Sequence, residues 1–530
     1  ETGVDVVNVD QNTGFDQIQP AVDGANPGDT IEVTAGMFNE SQLSVNVPGL
    51  TIEGSGDTVI DNTAGGGATV RTIATDITIT NLTVTNSGGG NGFDIPTTQN
   101  ASGLQLDDVT ISDTSIAFFN DLTTDGGPND DVEQDFSNVV FSDVTIENSE
   151  RKGIYTEALS DAVFDNVTID GVTSDSYRFN TGIDINLKYD DHENITIRDS
   201  TVANVSEGDP FRSNPSFSSA VAIKARDDPS SYDTNPATLN DVTIDGVTIE
   251  DSFNGLRIGE PGVDYSSNPS GPTGVTITDS TFQNNSGFHI EDVPGNLSLS
   301  AILNSQSNSF SGAVTVQDSS GTVTDGIIYS SIQPAVDAAS DGDTVSVGSG
   351  TYNESVTITT NNITLTSADG ASATPRVIGE ETNAVTINAD GVTVSGLEIR
   401  NPIGAGEGDT RVNAVGVKID PANTDVTVRN NTVTEVGTEA NTNVIGIYAE
   451  RDTNNLSISN NTLSDLDGTS TDEDRTQAIL LIAQEGSNVG SITGATVFNN
   501  TITNVTDTRS VKAIEFNGNI SGSIAENDIS

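Results

Sequence analysis

The chain has 530 residues, and its 78 acidic residues against 19 basic ones give a formal net charge of −59. A strongly negative surface repels nucleic acid and anionic membranes, so the composition argues against both as partners. Cysteine is absent, and no apolar run approaches the roughly 18 residues of a spanning helix, so we expect no direct membrane span within this chain.

The first predicted element is a short helix near residue 20. Ile18, Ala21 and Val22 follow helical spacing, and Gly28 and Asp29 then turn the chain into a first strand. A β-solenoid exposes an apolar cross-section at its first coil, and an amphipathic helix placed there would cover it. We therefore predict an N-terminal capping helix.

A short phrase of alternating apolar residues then recurs down the chain. Each copy has two or three alternating apolar residues, a polar turn, and two or three more apolar residues. Copies begin near positions 76, 104, 139, 163, 195 and 275, and later near 426, 456 and 495. A repeat of about 25 to 40 residues, made of strands with no helical period between them, predicts a β-solenoid.

Aligning consecutive coils on a small residue places side chains in columns. The reference column is Gly153, Gly182, Ala220 and Gly255. Alternation predicts that the next column points inward, namely Ile154, Ile183, Val221 and Leu256. It predicts three outward columns: Tyr155, Asp184, Ala222 and Arg257; Glu157, Asn186 and Lys224; and Lys188, Arg226 and Glu260. Basic residues thus converge on one face of an acidic protein, bracketed by long loops.

The segment that predicts the capping helix and the turn into the first strand occurs a second time. Ile332, Ala335 and Val336 repeat the helical spacing, and Gly342 and Asp343 repeat the turn into a strand. The sequence therefore predicts two domains, a first solenoid with long loops at 1–325 and a second at 326–530.

Asparagine pairs mark the coils of the second predicted domain. Asn430 with Asn431, Asn460 with Asn461 and Asn499 with Asn500 occupy the same register after a strand, and Asn527 continues the series. Side-chain amides stacked in tight turns hydrogen-bond their neighbours, and asparagine tolerates left-handed backbone. We predict a structural asparagine ladder there rather than a ligand site.

The cap block and the coil repeat resemble the pectate-lyase-like right-handed parallel β-helix proteins, over nearly the whole chain. The resemblance implies an all-β fold of two tandem right-handed parallel β-helices (β-solenoids), each with an N-terminal capping helix. The superfamily includes polysaccharide lyases, glycoside hydrolases, epimerases, phage tailspikes and surface proteins without known chemistry. The acidic composition in turn resembles that of proteins from extreme halophiles, including surface β-helix proteins of the halophilic archaeal type.

Two kinds of function fit this pattern. The first is an extracellular, salt-adapted surface protein whose two solenoids form a rigid rod for adhesion, surface assembly or filaments, with copies of itself, neighbouring surface proteins or polysaccharide as partners. The second is a polysaccharide lyase or glycoside hydrolase acting on an acidic polysaccharide. No signature phrase of characterised lyases or polygalacturonases occurs, which favours the first; a viral receptor-binding spike is a third alternative.

The basic face supplies the candidate site residues. A lyase needs an Arg or Lys base and carboxylates, and a hydrolase needs paired carboxylates. The catalytic candidates are Lys188, Lys224, Arg226, Asp184 and Asp227, and the carbohydrate-binding candidates are Tyr155, Tyr189, Tyr232 and Arg257. Calcium is the one cofactor predicted, with Asp190, Asp191 and Asp228 as ligands. The competing interpretation is that opposite charges on adjacent coils pair on the surface and fix the register.

Sixteen Asn-x-Ser/Thr sequons fit an extracellular glycoprotein, although several asparagines also fit turn positions. The candidate glycosylation sites are Asn39, Asn81, Asn100, Asn166, Asn194, Asn204, Asn284, Asn296, Asn353, Asn362, Asn430, Asn455, Asn460, Asn499, Asn504 and Asn519.

Overall fold

The chain divides into two compact units, Glu1–Phe310 and Ser311–Ser530. The computed structural model describes residues 5–96, 100–121, 136–177, 179–208, 217–227, 236–260, 271–305, 307–402, 413–437, 443–468, 475–485 and 488–530. The division lies upstream of residue 325 because strand Val314–Gln317 pairs antiparallel with both Ile327–Tyr329 and Thr344–Val347 of the second unit.

The first unit is a parallel β-helix, and each coil contributes a strand to each of three faces. Face 1 contains Thr30–Val33, Thr51–Glu53, Thr78–Thr85, Gln105–Ser112, Ser137–Ser142, Ser160–Asp165, Asp191–Arg198, Thr238–Asp245 and Thr273–Thr278. Face 2 contains Gly36–Asn39, Thr58–Asp61, the second halves of Thr78–Thr85 and Gln105–Ser112, and then Thr145–Ser149, Thr168–Val172, Thr201–Val205, Thr248–Glu250, Thr281–Gln283 and Ser309–Phe310. Face 3 contains Leu43–Val45, Val70–Thr72, Phe93–Pro96, Ile116–Asp121, Lys152–Thr156, Thr181–Leu187, Ser219–Ala225, Leu256–Ile258 and Phe288–Asp292.

The polar turn of the repeated phrase is the corner between faces 1 and 2. Asn81, Asp108, Asp143, Asn166 and Asp199 stand there with φ between +50° and +58°. Asn and Asp enter this left-handed region at lower cost than other L residues, because their short side chains hydrogen-bond locally. The alternation on either side of the corner therefore keeps the Val, Ile and Leu side chains inward, where they form a continuous core.

The second unit repeats the architecture. Its face 1 contains Thr344–Val347, Thr364–Ser367, Thr393–Ser395, Thr427–Arg429, Ser457–Ser459, Ile492–Phe498 and Ile520–Ala525. Face 2 contains Thr351–Asn353, Arg376–Ile378, Glu398–Asn401, Thr432–Val436, Thr462–Gly468, Thr501–Ile502, Val505–Asp507 and Asp528–Ile529. Face 3 contains Val356–Ile358, Asn383–Ile387, Asn413–Ile419, Asn443–Ala449, Thr476–Ile482 and Val511–Asn517, and a small hairpin of Gln484–Glu485 and Asn488–Val489 lies outside it.

Both predicted capping helices are present, at Ile18–Asp23 and Ile332–Ala338. Their apolar residues are buried, and in each unit a glutamate from the first coil caps the helix N-terminus. Glu40 Oε1 accepts the backbone N–H of Ile18 at 3.1 Å, and Glu354 Oε1 accepts that of Ile332 at 2.6 Å. Strands Val6–Asn8 and Thr13–Phe15 precede the first cap as an antiparallel pair. A third helix, Leu299–Asn304, lies between strands Phe288–Asp292 and Ser309–Phe310 of the first unit and was not predicted.

The predicted asparagine ladder is confirmed. Asn431, Asn461, Asn500 and Asn527 donate and accept amide hydrogen bonds in sequence, with N···O distances from 2.9 to 3.2 Å. Three of the four are at most 2 % exposed, so these amides satisfy one another inside the core. Among the residues that the structure describes, no helix has the length and apolarity to cross a membrane.

Candidate functional site

The register of face 3 in the first unit brings the predicted columns together. Tyr155 pairs with Asp184, Asp184 with Ala222, and Ala222 with Arg257 on successive coils. The neighbouring column pairs Asn186 with Lys224. Adjacent strands lie about 4.8 Å apart, so charged groups on neighbouring coils are in direct contact.

Asp184 lies between lysines from the two neighbouring coils. Its Oδ2 accepts from Lys152 Nζ, and its Oδ1 lies 3.0 Å from Lys224 Nζ. The carboxylate is 1 % exposed, and the Lys224 side chain is 14 % exposed. Burial disfavours the ionised Asp184, but the two ammonium groups outweigh it and lower its pKa to about 2. Burial also lowers the pKa of Lys224, with repulsion from Lys152 adding to the effect and Asp184 opposing it.

This Lys152–Asp184–Lys224 triad corrects the interpretation of these columns as solvated ion pairs. The groups do pair between coils, but the pairing is buried. A buried carboxylate shared by two cations leaves one surplus positive charge in a low-dielectric setting. Such a site favours the approach of an anion from outside.

A second charged group lies beside the triad. The Tyr155 hydroxyl donates to Glu157 Oε1, and Lys188 Nζ forms an ion pair with the same oxygen. Asn186 Nδ2 donates to the Tyr155 hydroxyl at 3.0 Å. Burial, together with the charges of Glu157 and Asp184, raises the pKa of Tyr155, so its phenol stays protonated.

Asp121 ends a strand on the neighbouring coil, where Asn120 pairs with Thr156. Burial, a hydrogen bond with Glu157 and the charge of Glu157 raise the pKa of Asp121 to about 7, against the opposing charge of Lys188. Asp121 therefore titrates near neutral pH, where about half of it is protonated, and such a carboxyl group suits general acid catalysis.

These groups line a cavity of about 350 Å³, within the usual size range for small-ligand sites. Aromatic rings form part of its wall: Phe119 and Tyr155 stack at a centroid distance of 5.6 Å, and Tyr177 meets Phe179 edge-on at 6.0 Å. The full lining is Asn91, Ile116, Phe119, Asp121, Arg151, Lys152, Tyr155, Glu157, Tyr177, Phe179, Asp184, Asn186, Lys224, Arg226 and Glu260.

Of the predicted site residues, Asp184, Lys224, Arg226 and Tyr155 line this cavity, and Lys188 lies beside it. Arg226 is held by Glu260, with N···O 2.7 Å. Asp227 is 3 % exposed and is not among the lining residues.

Two other candidates, Arg257 and Tyr189, have local structural roles. Arg257 is 2 % exposed, pairs with Glu291 at 2.6 Å and donates to the Phe217 carbonyl, so we remove it from the carbohydrate-binding set. The Tyr189 carbonyl contacts His192 Nε2 at 3.0 Å, and Tyr189 is not among the lining residues.

The calcium prediction is not settled by this geometry. Asp191 Oδ1 accepts from the Thr238 hydroxyl at 2.6 Å, and Asp190 lies next to it at the strand end with φ of +59°. Across the described residues, no three His, Asp or Glu side chains cluster closely enough to hold a metal ion. Asp228 and Tyr232 lie outside the described residues. Calcium therefore stays a prediction.

The site also contains residues that the sequence reasoning left out, namely Phe119, Asp121, Arg151 and Lys152. Phe119 pairs with Tyr155, and Ile116 with Lys152, one coil before the first coil of the alignment. Extending the small-residue column from Gly153 back to Ala117 would have placed Phe119 and Asp121 on the same face. The signal was present, but the alignment began one coil too late.

Eleven of the sixteen sequon asparagines have positive φ and stand at coil corners. Several donate their side-chain amide to an aspartate of the preceding coil, as Asn166 does to Asp143 at 2.5 Å and Asn194 to Asp161 at 2.8 Å. The turn interpretation is therefore confirmed for these eleven positions. Asn39, Asn100, Asn353 and Asn519 are exposed and have no such backbone conformation.

The chain matches no protein-family model and no curated protein sequence. Among solved structures, the A-module of the mannuronan C-5 epimerase AlgE6 of Azotobacter vinelandii is 11 % identical, with 97 % of this chain and 94 % of that chain covered and a TM-score of 0.22. The PL6 family alginate lyase AlyGC is 10 % identical, with coverages of 96 % and 98 % and a TM-score of 0.23. PfbA, a surface adhesin of Streptococcus pneumoniae, is 9 % identical, with coverages of 96 % and 88 % and a TM-score of 0.25. Similarities this low carry no argument, and the β-helix assignment rests on the strand pairing.

Proposed function

We propose that the protein binds an acidic polysaccharide at the cell exterior through the cavity of the first unit. The observation that carries the proposal is the concentration of positive charge there. Five of the 19 basic residues of a chain with net charge −59 line or adjoin one cavity: Arg151, Lys152, Lys188, Lys224 and Arg226. Aromatic rings beside these cations suit a sugar acid, because a sugar ring stacks on an aromatic face while its carboxylate meets a cation.

The surrounding field strengthens this argument. An acidic exterior repels a polyanion, so binding requires a local site where the sign of the potential reverses. The surplus charge of the Lys152–Asp184–Lys224 triad supplies such a site, and burial keeps it effective in salt, since buried pairs are screened much less than exposed ones. Adhesion or surface assembly through polysaccharide is the role that this site would serve.

Loss of part of the aromatic wall should weaken the binding of charged and neutral sugars alike. Phe119→Ala removes one ring of the Phe119–Tyr155 stack, and we expect saccharide affinity to fall about tenfold or more. Calorimetric titration with uronate oligosaccharides in molar salt measures it. Phe498→Ala is the matched control, because Phe498 is an exposed phenylalanine of the second unit and its loss should change nothing. Absence of binding to any uronate, sulfated or neutral oligosaccharide would remove the proposal.

The second candidate function is turnover of the same polysaccharide, and one observation favours it. Asp121 titrates near pH 7 and burial lowers the pKa of Lys224, so the cavity contains a candidate acid and a candidate base on one face. In a β-elimination, Lys224 would take the proton next to the uronate carboxylate, the glycosidic C–O bond would break, and Asp121 would protonate the leaving oxygen.

An enzyme of this kind predicts unsaturated uronate products, which are followed by their ultraviolet absorbance. Asp121→Asn and Lys224→Met should each reduce turnover about 10²-fold or more, as expected for loss of a general acid or base. Lys418→Met, in the second unit, should retain full activity. If neither unsaturated ends nor new reducing ends accumulate on any acidic polysaccharide, the binding function stands alone.

An extracellular location and N-glycosylation belong to the same proposal. Sequon asparagines at the corners use their amides to join coils, and a glycan there would displace those contacts. The exposed sequons Asn39, Asn100, Asn353 and Asn519 are the positions that we propose as glycan acceptors.

A further inference from the structure

Arg151 differs from the other cations of the cavity. Its guanidinium lies over the Tyr177 ring, 4.1 Å from the centroid, and its buried Nε has no hydrogen-bond partner in the structure. No carboxylate of the described residues forms an ion pair with it. The arginine also lines the cavity, beside Lys152.

The remaining cations around the cavity are already engaged. Lys152 and Lys224 share Asp184, Lys188 is paired with Glu157, and Arg226 is paired with Glu260. An incoming anion at any of these must compete with a carboxylate that is already in contact. At Arg151 it meets a planar, permanently charged donor with no competing carboxylate among the described residues.

We propose that Arg151 determines the specificity of the site by binding the carboxylate of a sugar acid through its guanidinium. This inference rests on the saccharide-binding function proposed above and identifies Arg151 as the residue that distinguishes a charged sugar from a neutral one. Stacking on Tyr177 fixes the plane of the guanidinium, so the geometry of a bidentate contact with a carboxylate is set before the ligand arrives. The sugar ring attached to that carboxylate then lies toward the Phe119–Tyr155 wall of the same cavity.

The proposal predicts a loss of charge preference rather than a loss of binding. Wild-type protein should bind trigalacturonate at least about tenfold more tightly than its fully methyl-esterified form, since a charge-assisted pair contributes about 1.5–3 kcal/mol. In Arg151→Gln most of this preference should disappear, the remainder being the long-range attraction of the triad's surplus charge, and the affinity for the ester should stay near that of the wild type. Arg151→Lys keeps the charge but lacks the planar fork and should recover only part of the preference.

Arg429→Gln is the matched control, because Arg429 is an exposed arginine of the second unit with no ion pair among the described residues. It should leave both affinities unchanged. If Arg151→Gln retains the preference for trigalacturonate over its ester while Lys224→Met loses it, the carboxylate binds at the lysine triad and the proposal fails. Phe119→Ala should weaken both ligands equally, which separates failure of the saccharide site from failure of Arg151.

A second measurement does not depend on any saccharide. Crystals of the full chain soaked in bromide should show an anomalous peak at the Arg151 guanidinium, and the peak should disappear in Arg151→Gln. Bromide found at Lys224 and not at Arg151 would overturn the assignment even if no saccharide ligand were identified.

Discussion

Replacing Asp184 by asparagine should lower the free energy of unfolding by about 3–5 kcal/mol at pH 7, because removal of one partner leaves buried charge without compensation. Asparagine fills the same space but cannot offset the ammonium groups of Lys152 and Lys224, both held within reach of its side chain. Urea unfolding at fixed ionic strength measures the loss, followed by the near-ultraviolet dichroism of the tyrosines, five of which lie in the first unit and three in the second.

The pH dependence of this variant identifies the cause. Without Asp184, the pKa of Lys224 in the folded state falls further below its unfolded value, so the unfolded chain binds more protons between those two values. The stability of the variant should therefore rise as the pH increases from 7 toward 10, and more steeply than that of the wild type, in which Asp184 opposes the lowering of the Lys224 pKa.

Two further variants control for simple loss of a carboxylate. Asp165→Asn breaks a solvated pair in which Arg198 lies 2.5 Å away and is 48 % exposed, so its effect should stay below about 1 kcal/mol. Adding Lys224→Met to the Asp184 variant removes one of the two uncompensated ammonium groups and should restore part of the lost stability. An Asp184 variant no less stable than the Asp165 variant would show that the triad is solvated in solution.

The coil architecture was predictable from sequence because it depends on local rules. Alternation with a period of two assigns the inward side chains, and Asn or Asp at each corner marks where a left-handed residue bends the chain. Both capping helices and the ladder of Asn431, Asn461, Asn500 and Asn527 follow from the same short-range signals. Helix Leu299–Asn304 escaped prediction because only Leu299 in it is fully buried, which leaves almost no apolar period.

Which residues of the site share a column was predictable from sequence, but how far their side chains are buried was not. Register alone placed Tyr155 beside Asp184 and Asn186 beside Lys224. Sequence pattern carries no information on which outward side chains neighbouring coils and loops then cover, so the burial of Asp184 and the raised pKa of Asp121 were not foreseen. Arg151 was missed for a related reason: its importance lies in the absence of a paired carboxylate, which only distances reveal.

Raising the salt concentration should stabilise the protein strongly, with melting temperature increasing by more than about 10 °C between 10 mM and 1 M KCl as the Debye length falls from about 30 to 3 Å. Two effects of salt oppose each other. Screening weakens the ion pairs that, among the described residues, engage 13 of the chain's 19 basic residues, most of them between neighbouring coils. Exposed pairs contribute at most about 1 kcal/mol each.

Screening also removes the mutual repulsion of a net charge of −59, which is spread over both units and disfavours the compact state. The removal of repulsion has the larger effect on stability, because the surplus acidic residues far outnumber the ion pairs. The innermost pairs, such as Lys152 with Asp184, are also largely shielded from salt. Scanning calorimetry across the salt series tests this through the shape of the curve. Stabilisation by screening should occur mostly below about 0.5 M salt and be the same for chloride and sulfate at equal ionic strength. Stabilisation by exclusion of the ions from the protein surface grows with concentration and is stronger for sulfate. A melting temperature that stays flat or falls over this range would mean that the acids are balanced in the folded protein and that the salt adaptation is wrong.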